Sequence, residues 1–241
     1  KKQMIRTMEK VTPEGNNKRY IRAFLSDRYR PLDNWDMLDA MLPHINKPNI
    51  TIESCDVTEG KMYIKAVDHN VSFELPRDPN VSLYEWGKGH HIVDVIKPAI
   101  TIGNSEVGLS SLYVIPGVFT VACTNLVLFK SHANRKYHVG SNGGKDDYDT
   151  YGIYSDKTNR LNDATIWSRM ADLVDASLGG KVFDIMVAKL KEARNLKMTG
   201  SVEKTMDCFA ERLNVTSQER SGILTHLIEG GNLSAYGLHS A

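Results

Sequence analysis

Hydrophobic and polar residues follow two different periods along the chain, and the first is helical. Apolar residues at helical spacing predict a short helix that ends just before Pro43, and their positions are Trp35, Leu38, Met41 and Leu42. Asp33 or Asn34 is a natural N-cap for this helix, because a short polar side chain can accept a hydrogen bond from a backbone N–H of the first turn. Regular structure is therefore expected to begin with this helix.

The period changes to two between residues 49 and 75. Alternating residues from Ile50 to Cys55 and from Met62 to Val67, separated by the turn at Thr58-Glu59-Gly60, predict a β-hairpin. Three apolar runs follow at residues 92–102, 109–115 and 118–128, broken at Gly103-Asn104 and Pro116-Gly117. Because their connections are too short for parallel crossovers, these runs predict an antiparallel meander.

The last third of the chain returns to helical spacing. A helix is expected to begin at Asn162 or Asp163, and Thr216-Ser217-Gln218-Glu219 is a capping box that predicts the start of another. The whole pattern indicates an α+β fold: a central antiparallel β-sheet (hairpin plus meander), a preceding helix and a helical C-terminal third. We expect residues 1–24 to be a basic N-terminal arm or loop, residues 25–160 an α+β core domain, and residues 161–241 a helical region packed on that core.

Composition places the chain among ordinary globular proteins. It has 241 residues, of which 41% are hydrophobic and 24% charged, so it can bury a core without disulfides or a structural metal. Its three cysteines, Cys55, Cys123 and Cys208, lie far apart and are expected to be reduced, mostly buried thiols. No apolar run approaches the length of a membrane span, and the N-terminus lacks the apolar stretch of a signal peptide. We therefore expect a cytoplasmic protein with no membrane partner.

Charge is unevenly distributed although the formal net charge is only +1. Residues 1–30 contain nine Lys or Arg and three Asp or Glu, whereas residues 31–80 contain four basic and nine acidic residues. Such segregation favours attraction of a polyanion or pairing with a second copy of the chain. A solvated basic arm is the alternative interpretation.

Familiar catalytic motifs are missing from the sequence. It contains no phosphate loop, no dinucleotide-binding glycine motif, no nucleophile elbow and no His-Glu-x-x-His, so we expect neither ATP-driven chemistry nor a bound cofactor. One set of residues has the composition of a zinc site, namely His90, His91, Asp94, Cys123, His132 and His138. Adjacent histidines on a strand point to opposite faces, however, and these spacings match no familiar metal site. We therefore expect no metal, and a hydrolase or nuclease at these residues is kept as an alternative.

A basic segment at residues 130–140 has the composition of a nucleic-acid site. It contains Lys130, Arg135 and Lys136, followed by Tyr137 and His138, and no acidic residue. Phosphates favour positive charge and bases favour aromatic rings on which to stack, so this composition suits a nucleic-acid strand. A smaller set of the same kind is Arg28, Tyr29 and Arg30. A short basic connection on the surface is the alternative for both.

Five stretches of this sequence occur together, in order, in one known group of proteins. They are Leu25 to Asn34, Asn104-Ser105-Glu106-Val107-Gly108, Cys123-Thr124-Asn125, His138-x-Gly140, and Asn232 to Ala241. The chain resembles a family of phage- and plasmid-borne proteins, a domain of unknown function labelled phage/plasmid-like protein, from about residue 22 onward. Leu126 departs from the pattern, because many relatives have Gly after this Asn.

The resemblance implies a role in recombination of mobile elements. The layout is similar to that of single-strand annealing proteins of the Red-beta and RecT type, which hold single-stranded DNA in a basic groove without ATP and assemble into rings or filaments. The resemblance implies that single-stranded DNA and further copies of the chain are partners. A phage nuclease or a host single-strand-binding protein is a candidate for a further partner. An alternative is a phage structural component that self-assembles without DNA.

Under the annealing hypothesis each predicted site residue has a role and no residue is catalytic. We expect the basic side chains to neutralise phosphates, two tyrosines to stack on bases, and His138 to complete the site. The basic residues are Arg28, Arg30, Lys130, Arg135 and Lys136, and the tyrosines are Tyr29 and Tyr137.

Overall fold

The computed structural model describes residues 3–26, 29–75, 94–121, 125–138, 155–230 and 233–240. Its strands are β1 (Gln3–Val11), β2 (Asn17–Ser26), β3 (Ile50–Val57), β4 (Met62–Asp68), β5 (Phe73–Leu75), β6 (Asp94–Asn104), β7 (Leu112–Thr120), β8 (Asn125–Leu128) and β9 (Asn134–Lys136). Its helices are α1 (Asn34–Ile45), α2 (Asp156–Leu178), α3 (Lys181–Asn195), α4 (Val202–Leu213), α5 (Ser217–Gly230) and α6 (Ala235–Ser240). This order confirms the predicted α+β class.

The central sheet is antiparallel throughout its described part. Its strands follow the order β3-β4-β6-β7-β8, while β5 also pairs with β6 and β9 also pairs with β7. The predicted hairpin is confirmed as β3 and β4, and the predicted meander as β6, β7 and β8. The strand limits in the meander were predicted wrongly, because Pro116-Gly117 lies within β7 and does not end a strand.

The position of Pro116 explains how a proline fits inside a strand of this sheet. Its carbonyl accepts a hydrogen bond from the Phe129 N–H on the β8 side, so its nitrogen also faces that side. There β7 pairs with β8 through Gly117–Thr120 and with β9 through Leu112–Val114. Pro116 thus lies between the two ladders, where the missing N–H interrupts neither of them.

Residues 1–24 were predicted to be a basic arm or loop, and the absence of strands in that prediction is wrong. β1 and β2 pair as a separate two-stranded antiparallel sheet, and β2 continues to Ser26, beyond the expected boundary. Contacts distant in sequence fix this hairpin, including an ion pair of 2.5 Å between Arg6 Nη2 and Asp33 Oδ1. The sequence pattern did not indicate the strands because their alternation is weak beside many charges and turn residues.

Helix boundaries differ from the predictions at two places. α1 extends to Ile45 and includes Pro43 in its last turn, where the loss of one backbone hydrogen bond is tolerated more easily than in the middle. α2 starts at Asp156, and the side chain of its N-cap Ser155 accepts a hydrogen bond from the Thr158 N–H. The capping box before α5 is confirmed, since Thr216 and Glu219 exchange hydrogen bonds between side chain and backbone.

Four of the described helices, α1, α2, α3 and α6, pack on one face of the central sheet. Buried side chains of α1 and α2 meet one half of that face, and those of α3 and α6 meet the other. The opposite face carries a smaller apolar cluster without a helical residue, made of Val67, Ala99, Phe119 and Leu126. We call this opposite side of the sheet the open face. It includes Asp56, Tyr63, Lys65, Lys97, Thr101, Gly103, Tyr113, Phe119 and Arg135.

No helix within the described ranges has the length and apolar character needed to cross a membrane.

Candidate nucleic-acid interface

The predicted basic segment forms an edge of the central sheet. Lys130 is exposed in a short 3-10 helix, and β9 follows it along β7. Because side chains alternate along a strand, Arg135 lies on the open face while Lys136 faces the helices. Tyr137 is exposed just beyond β9. Arg28 was also predicted to contact nucleic acid, and it lies outside the described residues.

Tyr29 and His138 form a buried pair, which corrects their predicted roles at the surface. Their rings stack with centroids 5.2 Å apart and an interplanar angle of 9°. Tyr29 Oη donates a hydrogen bond to the Ser105 carbonyl, and burial raises the pKa of Tyr29 to about 12. Neither ring is available to stack on a base, because both are enclosed by the protein.

Arg30 and Lys136 lie beside helix α2 instead of on an open surface. Arg30 Nη2 is 2.7 Å from Asp163 Oδ2, and both side chains are largely buried. Burial, followed by the positive charge of Arg30, lowers the pKa of Lys136. The Arg30 charge is therefore already balanced by a carboxylate, which does not support its predicted contact with phosphate. The sequence predicted a helix start at Asn162 or Asp163. In the structure Asp163 lies within α2 and is the ion-pair partner of Arg30.

The burial of His138 predicts a stability loss in mild acid. Its Nδ1 donates to the Arg30 carbonyl at 3.3 Å, and burial lowers its pKa below the usual histidine value. As the pH falls below about 6.5, His138 is protonated in the unfolded chain at a higher pH than in the folded protein. The free energy of unfolding therefore decreases as the pH falls below this value.

Denaturant unfolding at about pH 7.5 and about pH 5.5 measures this effect. His138→Phe keeps a ring against Tyr29 but cannot take up a proton, so the variant should lose less stability than the parent between the two pH values. Equal losses in both proteins would contradict the prediction. Three described carboxylates have a lowered pKa, namely Glu106, Asp175 and Glu219, and they affect stability at a pH below this window.

The stretch Asn104 to Gly108, one of the five motifs of the resemblance, connects three parts of the fold. Asn104 Nδ2 donates to the Leu32 carbonyl at 2.8 Å and to Asn34 Oδ1 at 3.0 Å. Ser105 Oγ donates to the Gly60 carbonyl at 2.7 Å. These bonds join the end of β6 to the start of α1 and to the β3–β4 turn.

Glu106 binds the start of α1 and the N-terminal hairpin at once. Its Oε1 accepts the Asn34 N–H at 2.9 Å, and its Oε2 is 2.6 Å from Arg22 Nη1. Burial alone would raise the pKa of Glu106, but the hydrogen bonds from Arg22 and Asn34 outweigh it and the pKa is lowered. Asp33, one of the two predicted N-caps beside Asn34, does occupy the N-cap position, but its side chain makes no capping hydrogen bond, and Glu106 accepts the Asn34 N–H instead.

One continuous row of side chains crosses five strands on the open face. The strand registers place Asp56 opposite Tyr63, Tyr63 opposite Gly103, Gly103 opposite Tyr113, and Tyr113 opposite Arg135. We call this set the tyrosine row. Since neighbouring strands lie about 4.8 Å apart, Tyr63 and Arg135 are separated by about 14 Å across the sheet.

Gly103 allows the two tyrosines to approach each other across the row. A Cβ atom at this position would overlap the Tyr113 ring, so the ring lies directly over the Gly103 backbone. Tyr63 remains 42% exposed, and a hydrogen bond to Asp56 raises its pKa. The result is a pair of aromatic rings on the open face, and one of them, Tyr63, is partly exposed to solvent.

Positively charged side chains lie next to aromatic rings on the open face. The Arg135 guanidinium carbon lies 5.9 Å from the centre of the Tyr113 ring, and Lys65 Nζ lies 4.9 Å from the centre of the Phe119 ring. Lys97 Nζ lies 2.8 Å from His69 Nδ1 near the same face. Rings next to cations are the combination that binds single-stranded nucleic acids with little sequence preference.

Sequence reasoning found Arg135 but missed Tyr63, Lys65 and Tyr113. A signal was present in β4, where Tyr63 and Lys65 alternate with the apolar Met62, Ile64 and Ala66. Alternation of this kind is ordinary for a half-exposed strand of an antiparallel sheet, so the aromatic and basic character of the exposed positions was the only local sign of a candidate site. The pairing of Tyr63 with Tyr113 depends on strand register, which the sequence alone did not provide.

The candidate zinc residues do not form a site in the part of the chain that the structure describes. No group of three His, Cys, Asp or Glu side chains there could hold a metal ion. His90, His91 and Cys123 lie outside the described residues. The hypothesis of a hydrolase or nuclease at these positions therefore stays untested. Cys55 and Cys208 are free and exposed, so the prediction of mostly buried thiols is wrong for both.

In comparisons with known proteins, no family model, no curated protein and no solved structure matches this chain. The resemblance to phage/plasmid-like proteins accordingly stays a prediction from sequence motifs. Function is argued below from the tyrosine row and the charges around it.

Proposed function

We propose that this protein binds single-stranded DNA on its open face and anneals complementary strands as a homo-oligomer, without ATP or a cofactor, in the recombination of a phage or plasmid. The observation that supports binding is the tyrosine row, with Arg135 at its end and Lys65 beside it. Annealing, recombination and the mobile element come from the sequence resemblance.

Binding on this face would leave the bases able to pair. A strand crossing the open face would stack bases on Tyr63 and Tyr113, while Arg135 and Lys65 neutralise neighbouring phosphates. Stacking uses the flat faces of the bases, so their hydrogen-bonding edges stay free to test a second strand. A duplex offers no unstacked bases, so we expect a preference for single strands.

Fluorescence anisotropy of a labelled oligonucleotide of a few tens of bases tests the binding step. The same sequence is titrated as a single strand and as a duplex, at about 50 mM and about 200 mM salt. Tight, salt-sensitive binding that prefers the single strand supports the proposal. Absence of binding at low salt contradicts it. A mixing assay with two complementary labelled strands then measures whether the protein accelerates annealing.

Charge reversal on the open face is expected to lower both the affinity and its salt dependence. Arg135→Glu with Lys65→Glu removes two phosphate contacts and adds repulsion, so affinity at low salt should fall about tenfold or more. The slope of log affinity against log salt should decrease by roughly 1.4, at about 0.7 for each phosphate contact.

A matched control makes the same change of charge elsewhere. Lys181→Glu with Lys204→Glu reverses two exposed lysines in the first turns of α3 and α4, where acidic residues are well tolerated. This control should bind like the parent apart from a small general effect of net charge. Equal losses in the two double variants would show that net charge, and not the open face, determines binding.

Assembly without DNA is the second candidate function, and one observation favours it. The N-terminal hairpin exposes a row of apolar side chains that could join copies of the chain, and these are Ile5, Ile21 and Phe24. A stable oligomer that binds no oligonucleotide at low salt would support this second candidate.

A further inference from the structure

Three side chains form a chain of contacts at one end of the open face. Lys97 Nζ lies 2.8 Å from His69 Nδ1, and His69 Nε2 lies 3.6 Å from Glu53 Oε1. The side chains of His69 and Glu53 are 38% and 31% exposed, so both are partly shielded from solvent. We call Glu53, His69 and Lys97 the histidine bridge.

Strand pairing brings His69 and Lys97 together. Continuing the antiparallel register of β4 and β6 by two residues places His69 opposite Lys97. The His69 N–H donates to the Asn49 carbonyl at 2.8 Å, which holds the backbone at this position. The contact between the two side chains is therefore set by the sheet.

A β-bulge directs Glu53 toward the same ring. The register of β3 against β4 shifts between Ile52 and Ser54, so Glu53 is the extra residue of the bulge. Bulges change the direction of a side chain and are common next to functional sites. Here the redirected carboxylate lies beside His69 Nε2.

The contact with Lys97 determines which nitrogen of the neutral His69 ring carries the proton. A lysine ammonium can only donate hydrogen bonds, so His69 Nδ1 is the acceptor. The ring proton is then on Nε2, the nitrogen next to Glu53. Neutral His69 therefore holds the Lys97 ammonium beside the end of β4.

Protonation of His69 makes its contact with Lys97 repulsive. The imidazolium carries an N–H on both nitrogens, so two donors and two positive charges would face each other across 2.8 Å. Attraction to the Glu53 carboxylate keeps the ring in place, whereas the lysine side chain is long and flexible. Lys97 is therefore the group that moves. Histidine changes charge between about pH 5 and pH 8, so this movement belongs to mild acid.

A released Lys97 lies next to the proposed path of the DNA strand. It is opposite Phe119, whose ring centre is 4.9 Å from Lys65 Nζ, so two lysines flank the same ring. Along β6, Lys97 is about 20 Å from Gly103 in the tyrosine row. A strand stacked on the tyrosine row and continuing along β6 would reach Lys97 within a few nucleotides.

Other charged groups on this part of the open face belong to β4 and β5. Lys65 lies on the same side of β4 as His69, and Glu74 lies on the same side of β5. Asp68 is buried on the other side of the sheet and does not face the ring. A released Lys97 can meet Glu74 or a phosphate, and the salt dependence of binding distinguishes them because only a phosphate contact steepens it.

We propose that protonation of His69 releases Lys97 to bind a phosphate, so that the open face holds single-stranded DNA more tightly in mild acid. This inference rests on the proposed function, since it describes regulation of the same surface. The Glu53 carboxylate balances the new charge on the ring, so the gain is one phosphate contact. Such a contact corresponds to about fivefold in affinity at low salt and to roughly 0.7 in the slope of log affinity against log salt.

Anisotropy titrations at about pH 7.5 and about pH 5.5 measure this gain, each at low and at high salt. The probe is a labelled thymidine oligonucleotide, because thymine does not titrate in this range. The parent should bind about fivefold more tightly, and with a steeper salt dependence, at the lower pH. His69→Gln keeps an acceptor for Lys97 but cannot be protonated, so it should bind like the parent at the higher pH and gain nothing at the lower.

Two further variants separate the histidine bridge from a general effect of charge. Lys97→Met leaves His69 titratable but removes the released group, so it should lose most of the gain. His226→Gln is the matched control, since it removes an exposed histidine from α5, a helix that packs against α4 and α6. This control should keep the whole gain.

NMR titration of the His69 ring tests the bridge without DNA. Lys97→Met removes a positive charge next to the ring, so the ring should take up its proton at a higher pH than in the parent. Glu53→Gln removes the balancing carboxylate and should have the opposite effect. A titration that neither substitution changes would overturn the inference.

The binding data give equally clear contradictions. Equal affinity and salt slope at both pH values would overturn the inference, as would a gain that persists in His69→Gln or Lys97→Met, or a gain without a steeper slope. Absence of binding at both pH values would overturn the proposed function and this inference together, whereas binding independent of pH would overturn only this inference. Circular dichroism at both pH values checks that every variant is folded.

Discussion

Replacing both Tyr63 and Tyr113 with Ala is expected to weaken the binding of single-stranded DNA by at least about 30-fold, because each base stacked on an aromatic ring is worth about 1–3 kcal/mol. Two stacked bases together contribute about 2–6 kcal/mol, and each 1.4 kcal/mol is about tenfold in affinity. Binding to duplex should change much less, since its bases are already stacked. The anisotropy titration at constant salt measures both affinities.

Two controls separate stacking from other effects of these substitutions. Tyr20→Ala removes a tyrosine from the N-terminal hairpin. Tyr20 is 45% exposed and Tyr63 is 42% exposed, so the two are comparable, and the Tyr20→Ala variant should bind DNA like the parent. Tyr63→Phe with Tyr113→Phe keeps both rings and removes both hydroxyl groups, so it should retain most of the affinity. If the double Ala variant bound single strands within about threefold of the parent, stacking on the tyrosine row would be excluded.

The tyrosine row also shows where sequence-based prediction stopped. Tyr63 and Tyr113 are far apart in the chain, and each alone is an ordinary strand residue. They become neighbours because β4 and β7 both pair with β6 at Gly103, a residue without a side chain to separate the rings. A shift of one residue in either register would place a tyrosine among the helices. Knowledge of the register was therefore necessary to find this candidate site.

Elements with strong local signals were predicted well, and those fixed by distant contacts were not. The turn at Thr58-Glu59-Gly60 and the capping box at Thr216 depend on residues close in sequence, and both were predicted. The β1–β2 hairpin depends on Asp33, Glu59 and Glu106, which lie outside it in the sequence. The sequence analysis expected the basic residues of this segment to attract a polyanion or a second copy, or else to be solvated, whereas Arg6, Lys10 and Arg22 anchor the hairpin within the same chain.

Three of the motifs that carry the family resemblance meet in one structural junction. The stretch from Leu25 to Asn34, the stretch from Asn104 to Gly108, and His138 contact one another through hydrogen bonds and the stacked ring pair. Most of these side chains are buried, so their chemistry is structural support for the hairpin and α1. The proposed DNA surface uses other residues, of which only Arg135 was predicted.

Replacing Glu106 with Ala is expected to lower the free energy of unfolding by about 3 kcal/mol, which is a large part of the stability of a typical domain. The change leaves the Arg22 guanidinium, only 16% exposed, without its carboxylate, and removes the acceptor for the Asn34 N–H at the start of α1. Loss of one partner of a buried ion pair costs about 3–5 kcal/mol. We expect the lower part of this range because Arg22 keeps a hydrogen bond to the Glu59 carbonyl.

Urea unfolding of three further variants tests this explanation. Glu59→Ala removes a carboxylate that is 85% exposed, so it should cost less than about 1 kcal/mol. Arg22→Met combined with Glu106→Ala should cost less than the sum of the single changes, because no unpaired charge then remains. Glu106→Gln keeps an acceptor for Asn34 and should lie between the parent and Glu106→Ala. A loss below about 1 kcal/mol for Glu106→Ala, or additive effects in the double variant, would show that Glu106 does not connect the hairpin to α1.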